Sequence, residues 1–118
     1  MVRKALPALL LFVFPVFCFA QQQSATYSAI LNGKQIRLKI TNGFAGSDEI
    51  KAGSLTFFAN SGHADATEHM MFQSKQIQTI EYFVLGNIQD SYATFPNVIT
   101  GKYYRGRKAV SVRFKLDK

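Results

Sequence analysis

The chain has 118 residues, a formal net charge of +7 and a single cysteine, Cys18. That length holds one domain with a modest core and leaves no room for a second. It contains no Gly-x-Ser-x-Gly elbow, no glycine-rich phosphate loop and no His-Glu-x-x-His pair, so the enzyme classes that depend on those motifs are excluded.

Residues 1–20 read as a secretory signal peptide. Arg3 and Lys4 precede an apolar run from Ala5 to Phe19, and Ala20 then gives way to Gln21, Gln22 and Gln23. The run is shorter than the roughly 20 residues a membrane-spanning helix needs, and Pro7 and Pro15 interrupt it. Cleavage after Ala20 places Cys18 at −3 and Ala20 at −1. A retained anchor is one alternative. A lipoprotein attached through Cys18 is another, although Phe17 stands where a lipid-attachment motif prefers a small residue. The expected product is a bacterial periplasmic or secreted chain of about 98 residues without cysteine or a transmembrane helix, its charge lowered to +5 by loss of Arg3 and Lys4. Such a chain has no disulfide and must hold together by packing.

Residues 21–25 are expected as a flexible leader and 26–118 as a single β domain. Tyr27–Leu31 and Lys34–Ile40 flank Asn32-Gly33, which predicts a hairpin with a two-residue turn. Its register sets Leu31 against Lys34, Ala29 against Ile36, Tyr27 against Leu38 and Ala25 against Ile40. Ile30 is the misfit on the polar face. Asn42–Gly53 reads as a loop, Leu55–Asn60 as a strand, Ser61–Glu68 as a second loop and His69–Ser74 as a short strand. Residues 77–85 fit either a helical stripe or a strand, and the β-rich run Ile80–Leu85 favours the strand. Glu81 in that run is expected to point to solvent. Gln89–Asn97 is a loop in which Pro96 bars a helix. A closing hairpin runs from Val98 to Leu116. Turning at Gly106-Arg107, it sets Tyr103 against Val110, Gly101 against Val112 and Ile99 against Phe114, with Val110 and Phe114 facing the core.

Six or seven short strands at this spacing predict an all-β fold, a small antiparallel barrel or sandwich built from hairpin meanders. The segments YSAILNGKQIRLKI, GSLTFF, EYFVLGNI and ITGKYYRGRKAVSVRFKL resemble small exported bacterial proteins with lipocalin-like or meander-type β-barrels. Tyr27, Gly33 and Lys34 match the opening hairpin of such chains, and Gly101, Tyr103, Phe114 and Leu116 the closing one. The resemblance covers most of the chain after the signal peptide and implies a barrel. It carries over no functional residue, and the chain lacks the tryptophan of the lipocalin Gly-x-Trp signature.

Three groups of residues are candidate sites. His63, Asp65, Glu68 and His69 are metal-ligand types within one loop; the alternative is a solvated polar connection. Lys102, Tyr104, Arg105, Arg107, Lys108, Arg113 and Lys115 form a cationic strip suited to an anionic partner; the alternative is edge-strand charge that blocks aggregation. Tyr27, Phe57, Phe72, Phe83, Tyr103 and Phe114 either line an apolar ligand pocket or fill the core. The expected function is non-catalytic binding, of a small apolar ligand in the barrel or of an anionic envelope component through the basic hairpin. A structural or accessory subunit of an envelope assembly, with a protein partner, comes second, and a metal-dependent hydrolase third. No cofactor is implied, and export argues against nucleic acid as a partner.

Overall fold

The computed structural model describes residues 24–75 and 80–118. The expected signal peptide, its cleavage point, Cys18, leader residues 21–23 and Ile77 lie outside the described residues. The strands are β1 Ser24–Leu31, β2 Lys34–Thr41, β3 Glu49–Ala52, β4 Leu55–Ala59, β5 Met70–Ser74, β6 Glu81–Leu85, β7 Val98–Arg105 and β8 Lys108–Leu116. Each pairs antiparallel with the next, and β8 returns to β1, closing an eight-stranded barrel. No helix among the described residues is long and apolar enough to cross a membrane.

Both outer hairpins take the register that alternation dictates. Asn32 and Gly33 adopt positive φ of 52° and 80°, the pair of left-handed conformations that a two-residue type I′ turn needs. Pairing then runs from Leu31↔Lys34 to Ala25↔Ile40 and Ser24↔Thr41. In the closing hairpin Tyr103 faces Val110, Gly101 faces Val112 and Ile99 faces Phe114. At Gly101 the neighbouring strand comes unusually close: a Cβ there would lie 2.2 Å from the Val84 carbonyl oxygen and 2.7 Å from Leu85 Cα. Only glycine allows β6 and β7 this approach.

Several expectations need correction. The barrel has eight strands rather than six or seven. The expected loop 42–53 contains a 3₁₀ turn, Ala45–Ser47, and all of β3. Ser24 and Ala25 belong to β1 and pair with Thr41 and Ile40, rather than to a free leader. Val110 is 43% exposed instead of buried. Its inward side has lost a neighbour, because the β1–β8 ladder holds only Tyr27↔Leu116 and Ser28↔Lys115 and stops short of that level. Glu81 also departs from expectation. It shares the inward parity of Phe83 and Leu85, sits half-buried at the barrel mouth, and accepts a hydrogen bond from the Tyr103 hydroxyl.

The two ends of the barrel differ. At one, the turn end, lie the tight turns Asn32-Gly33, Gly53-Ser54 and Gly106-Arg107, together with Lys75 and Ile80 at the adjacent ends of β5 and β6. At the other, the loop end, lie the long connections 42–48, 60–69 and 86–97. The 86–97 connection caps that end. Ile88, Tyr92 and Phe95 pack into the core, and Asn42 exchanges two hydrogen bonds with the Tyr92 backbone. Tyr27 reaches out of the core to donate to the Pro96 carbonyl at 2.7 Å. Burial, and secondarily Tyr92, pushes the Tyr27 phenol up to about 12, so it remains a donor throughout the physiological range.

Candidate functional site: the outer face of the C-terminal hairpin

The six aromatic residues expected as core or pocket lie in the core. Tyr27, Phe57, Phe72, Phe83 and Phe114 are at most 1% exposed. Phe57 meets Phe83 edge-on at 5.0 Å, Tyr103 packs on Phe83 at 5.0 Å, and Phe114 lies 6.5 Å from the same ring. These are the offset and edge contacts of a packed interior. Tyr103 is nearest the mouth, where it floors two adjoining depressions at the turn end. Burial, and then its bond to Glu81, pushes its phenol up to about 12.

The metal-type residues occupy the loop end. Asp65 Oδ1 accepts from the backbone N–H groups of Thr67 and His69 at 2.8 and 2.9 Å and from the Thr67 hydroxyl at 2.7 Å. The His69 amide first, then the Thr67 hydroxyl and amide, hold the Asp65 carboxyl below the usual carboxylate range. Asp65 thus caps its own turn. His63 turns away to Asp90, 2.9 Å from Nδ1 to Oδ2. Glu68 takes a left-handed φ of 64° and its carbonyl accepts from Ile88 N. Among the described residues no three His, Cys, Asp or Glu side chains converge where an ion could sit. The loop therefore does not bring His63, Asp65, Glu68 and His69 together.

The basic strip is divided in three by strand parity. Lys102 and Tyr104 point outward from β7 and Arg113 outward from β8, into one groove. Arg105 and Lys108 carry the inward parity of Tyr103 and, with Arg107 in the turn, rim a depression at the turn end. Lys115 stands apart beside Val98 and Ser28.

The groove encloses about 620 Å³, is open to solvent, and crosses β6, β7 and β8. Lys102, Arg113, Thr100 and Ser111 supply polar groups, and Val84, Tyr104 and the backbone at Gly101 form apolar wall and floor. The Tyr104 ring is held by Tyr82, stacked across the strands at 4.8 Å and 13°. Among the described residues neither Lys102 nor Arg113 enters an ion pair. Both cations therefore face solvent with their charge uncompensated.

His69 joins the groove from the loop end, which its place in the sequence does not reveal. The Thr67 hydroxyl gives its one proton to Asp65. At the 2.8 Å contact between Thr67 Oγ1 and His69 Nδ1, the ring nitrogen must then donate. The other nitrogen, Nε2, lies against Gly86 on the groove wall, 3.5 Å from where a Cβ would stand. It is left as a hydrogen-bonding group at the groove edge. Two cations, two hydroxyls, an aromatic wall and an imidazole can hold an anion bearing several oxygens. No family model, curated protein or solved structure matches the chain.

Proposed function

We propose that the protein is exported and is a non-catalytic binding protein that takes an anionic ligand in the outer groove of β6–β8. The observation that carries this reading is the groove itself, concave and furnished with the unpaired cations Lys102 and Arg113 beside the stacked Tyr104 ring. The aromatic packing of Phe57, Phe83 and Phe114 supports an outer site over an interior one, since a barrel filled by its own side chains has little space to lend. A segment of acidic or sulfated polysaccharide suits a groove with open ends, where hydroxyls meet Thr100 and Ser111 and charged oxygens meet Lys102 and Arg113.

A heparin-derived tetrasaccharide, titrated calorimetrically, tests the reading. Each charge-assisted hydrogen bond is worth about 1.5–3 kcal/mol, so Lys102→Ala/Arg113→Ala lowers affinity by at least about a hundredfold. Added salt weakens the wild-type interaction. Arg107→Ala/Lys108→Ala, at the turn end, leaves it nearly intact. Absence of heat with the wild type, or equal affinity in the groove variant, refutes the assignment.

A further inference from the structure

The charge on this barrel is segregated along its axis. Of the seven side-chain carboxylates in the chain, Asp48, Glu49, Asp65, Glu68, Asp90 and Asp117 lie at the loop end, with Lys39, Lys115 and Lys118 beside them. The turn end carries Lys34, Lys75, Arg105, Arg107 and Lys108 against Glu81 alone. Glu81 is half-buried and engaged by Tyr103. Among the described residues none of those five cations enters an ion pair.

The same end exposes large apolar side chains. Ile80 is 63% and Val110 43% exposed, and both line an open notch of about 480 Å³ with Tyr103, Arg105, Arg107 and Lys108. The notch exists because the closing ladder stops at Ser28↔Lys115, so the tip of the β7–β8 hairpin stands past the last β1 partner. Apolar side chains at a tip, ringed by five cations against the single carboxylate Glu81, match one kind of surface: an anionic layer with hydrocarbon beneath it.

We propose that the turn end docks end-on onto an anionic lipid bilayer. Arg105, Arg107 and Lys108 meet headgroup phosphates, and Ile80 and Val110 enter the interface. The axial charge asymmetry orients the approach, because the turn end carries an excess of positive charge that the loop end, where carboxylates stand beside Lys39, Lys115 and Lys118, does not. This docking does not rest on the groove and uses none of its side chains.

The chain contains no tryptophan, so single-tryptophan variants report contact without background. Ile80→Trp and Val110→Trp probe the turn end. Phe44→Trp is the control, since Phe44 is 70% exposed at the loop end. Vesicles are phosphatidylcholine alone or mixed with phosphatidylglycerol, with brominated acyl chains for quenching. The expected result is binding to mixed vesicles only, quenching at positions 80 and 110, and none at 44. Arg105→Ala/Arg107→Ala/Lys108→Ala lowers the partition coefficient about a hundredfold, whereas Lys102→Ala/Arg113→Ala changes it by less than about threefold. Equal quenching at all three positions, no binding to mixed vesicles, or a triple variant that binds like the wild type overturns the proposal. Should the triple variant not fold, the comparison of 80 and 110 with 44 decides alone. Loss of oligosaccharide binding with vesicle docking retained would sink the groove assignment and leave this one standing.

Discussion

Asp48 is a buried carboxyl in the closing turn of the 3₁₀ segment, and its environment yields a quantitative pH prediction. It is 1% exposed. Its amide donates to the Ala45 carbonyl at 3.1 Å and its carbonyl accepts from Ala59 at 3.2 Å. Oδ1 accepts from Thr41 N at 2.8 Å, and Oδ2 has no partner. Burial, partly opposed by the Thr41 hydrogen bond, pushes the carboxyl from its ordinary 3.8 up to about 7. The sign follows from proton counting. Between those values the folded protein holds a proton that the unfolded chain has released, so stability falls as pH rises through that window and levels off above it. At 1.36 kcal/mol per unit, the full loss is at most about 4 kcal/mol. Asp48→Asn keeps the acceptor for Thr41 and cannot ionise. Urea unfolding of both proteins from pH 4 to pH 8 measures the difference, in which all other titrations cancel. The variant should gain on the wild type by up to about 4 kcal/mol across the window. Parallel stability curves would refute the reasoning and show that water reaches the folded Asp48 carboxyl freely.

Two further substitutions test the architecture. Gly101→Ala places a methyl group against the Val84 carbonyl and Leu85 Cα at 2.2 and 2.7 Å. Backbone cannot rotate away as a side chain does, so the urea midpoint should drop by the equivalent of about 3 kcal/mol, and a loss under about 1 kcal/mol would show that β6 and β7 can part. Phe83→Ala removes the ring that Phe57, Tyr103 and Phe114 all contact. It should cost about 3–5 kcal/mol in the same assay, and a cost near that of an exposed site would contradict the packed interior.

Legibility in this chain follows the length of the pattern. β1, β2, β7 and β8 each run eight or nine residues with alternation and a defined turn, enough to fix register to the residue. β3 has four residues, of which only Ile50 is fully buried, and it opens on Glu49 directly after Asp48, so its composition is that of a polar loop. It becomes a strand because β2 and β4 pair with it on both sides. The 86–97 plug did carry a signal: Ile88, Tyr92 and Phe95 recur at intervals of four and three, an apolar face inside a segment rich in turn formers. Pro96 bars a helix there, so the spacing has no regular element to express it. The candidate site was half legible. Parity along β7 and β8 separates Lys102, Tyr104 and Arg113 from Arg105 and Lys108 once register is known. The arrival of His69 beside Gly86 depends on the path of a long loop, which no periodicity encodes.

The competing account of the basic strip is that lysine and arginine blunt sheet edges against pairing with other chains. Closure of the barrel changes the weight of that account residue by residue. Around the seam, the paired ladder with β1 takes in only Lys115 and Leu116 of β8, so edge protection suffices to explain Lys108 and contributes to Arg113. It does not explain β7. That strand is paired along one side with β6 from Leu85↔Gly101 to Glu81↔Arg105, and along the other with β8 over its whole length. Lys102 and Arg105 guard no edge, and no carboxylate pairs with Lys102 among the described residues. Charge that neither protects an edge nor forms an ion pair only adds self-repulsion to the fold. Arg105 has Glu81 opposite it across the β6–β7 ladder, which leaves Lys102, for which the anionic ligand proposed for the groove would supply the missing negative charge.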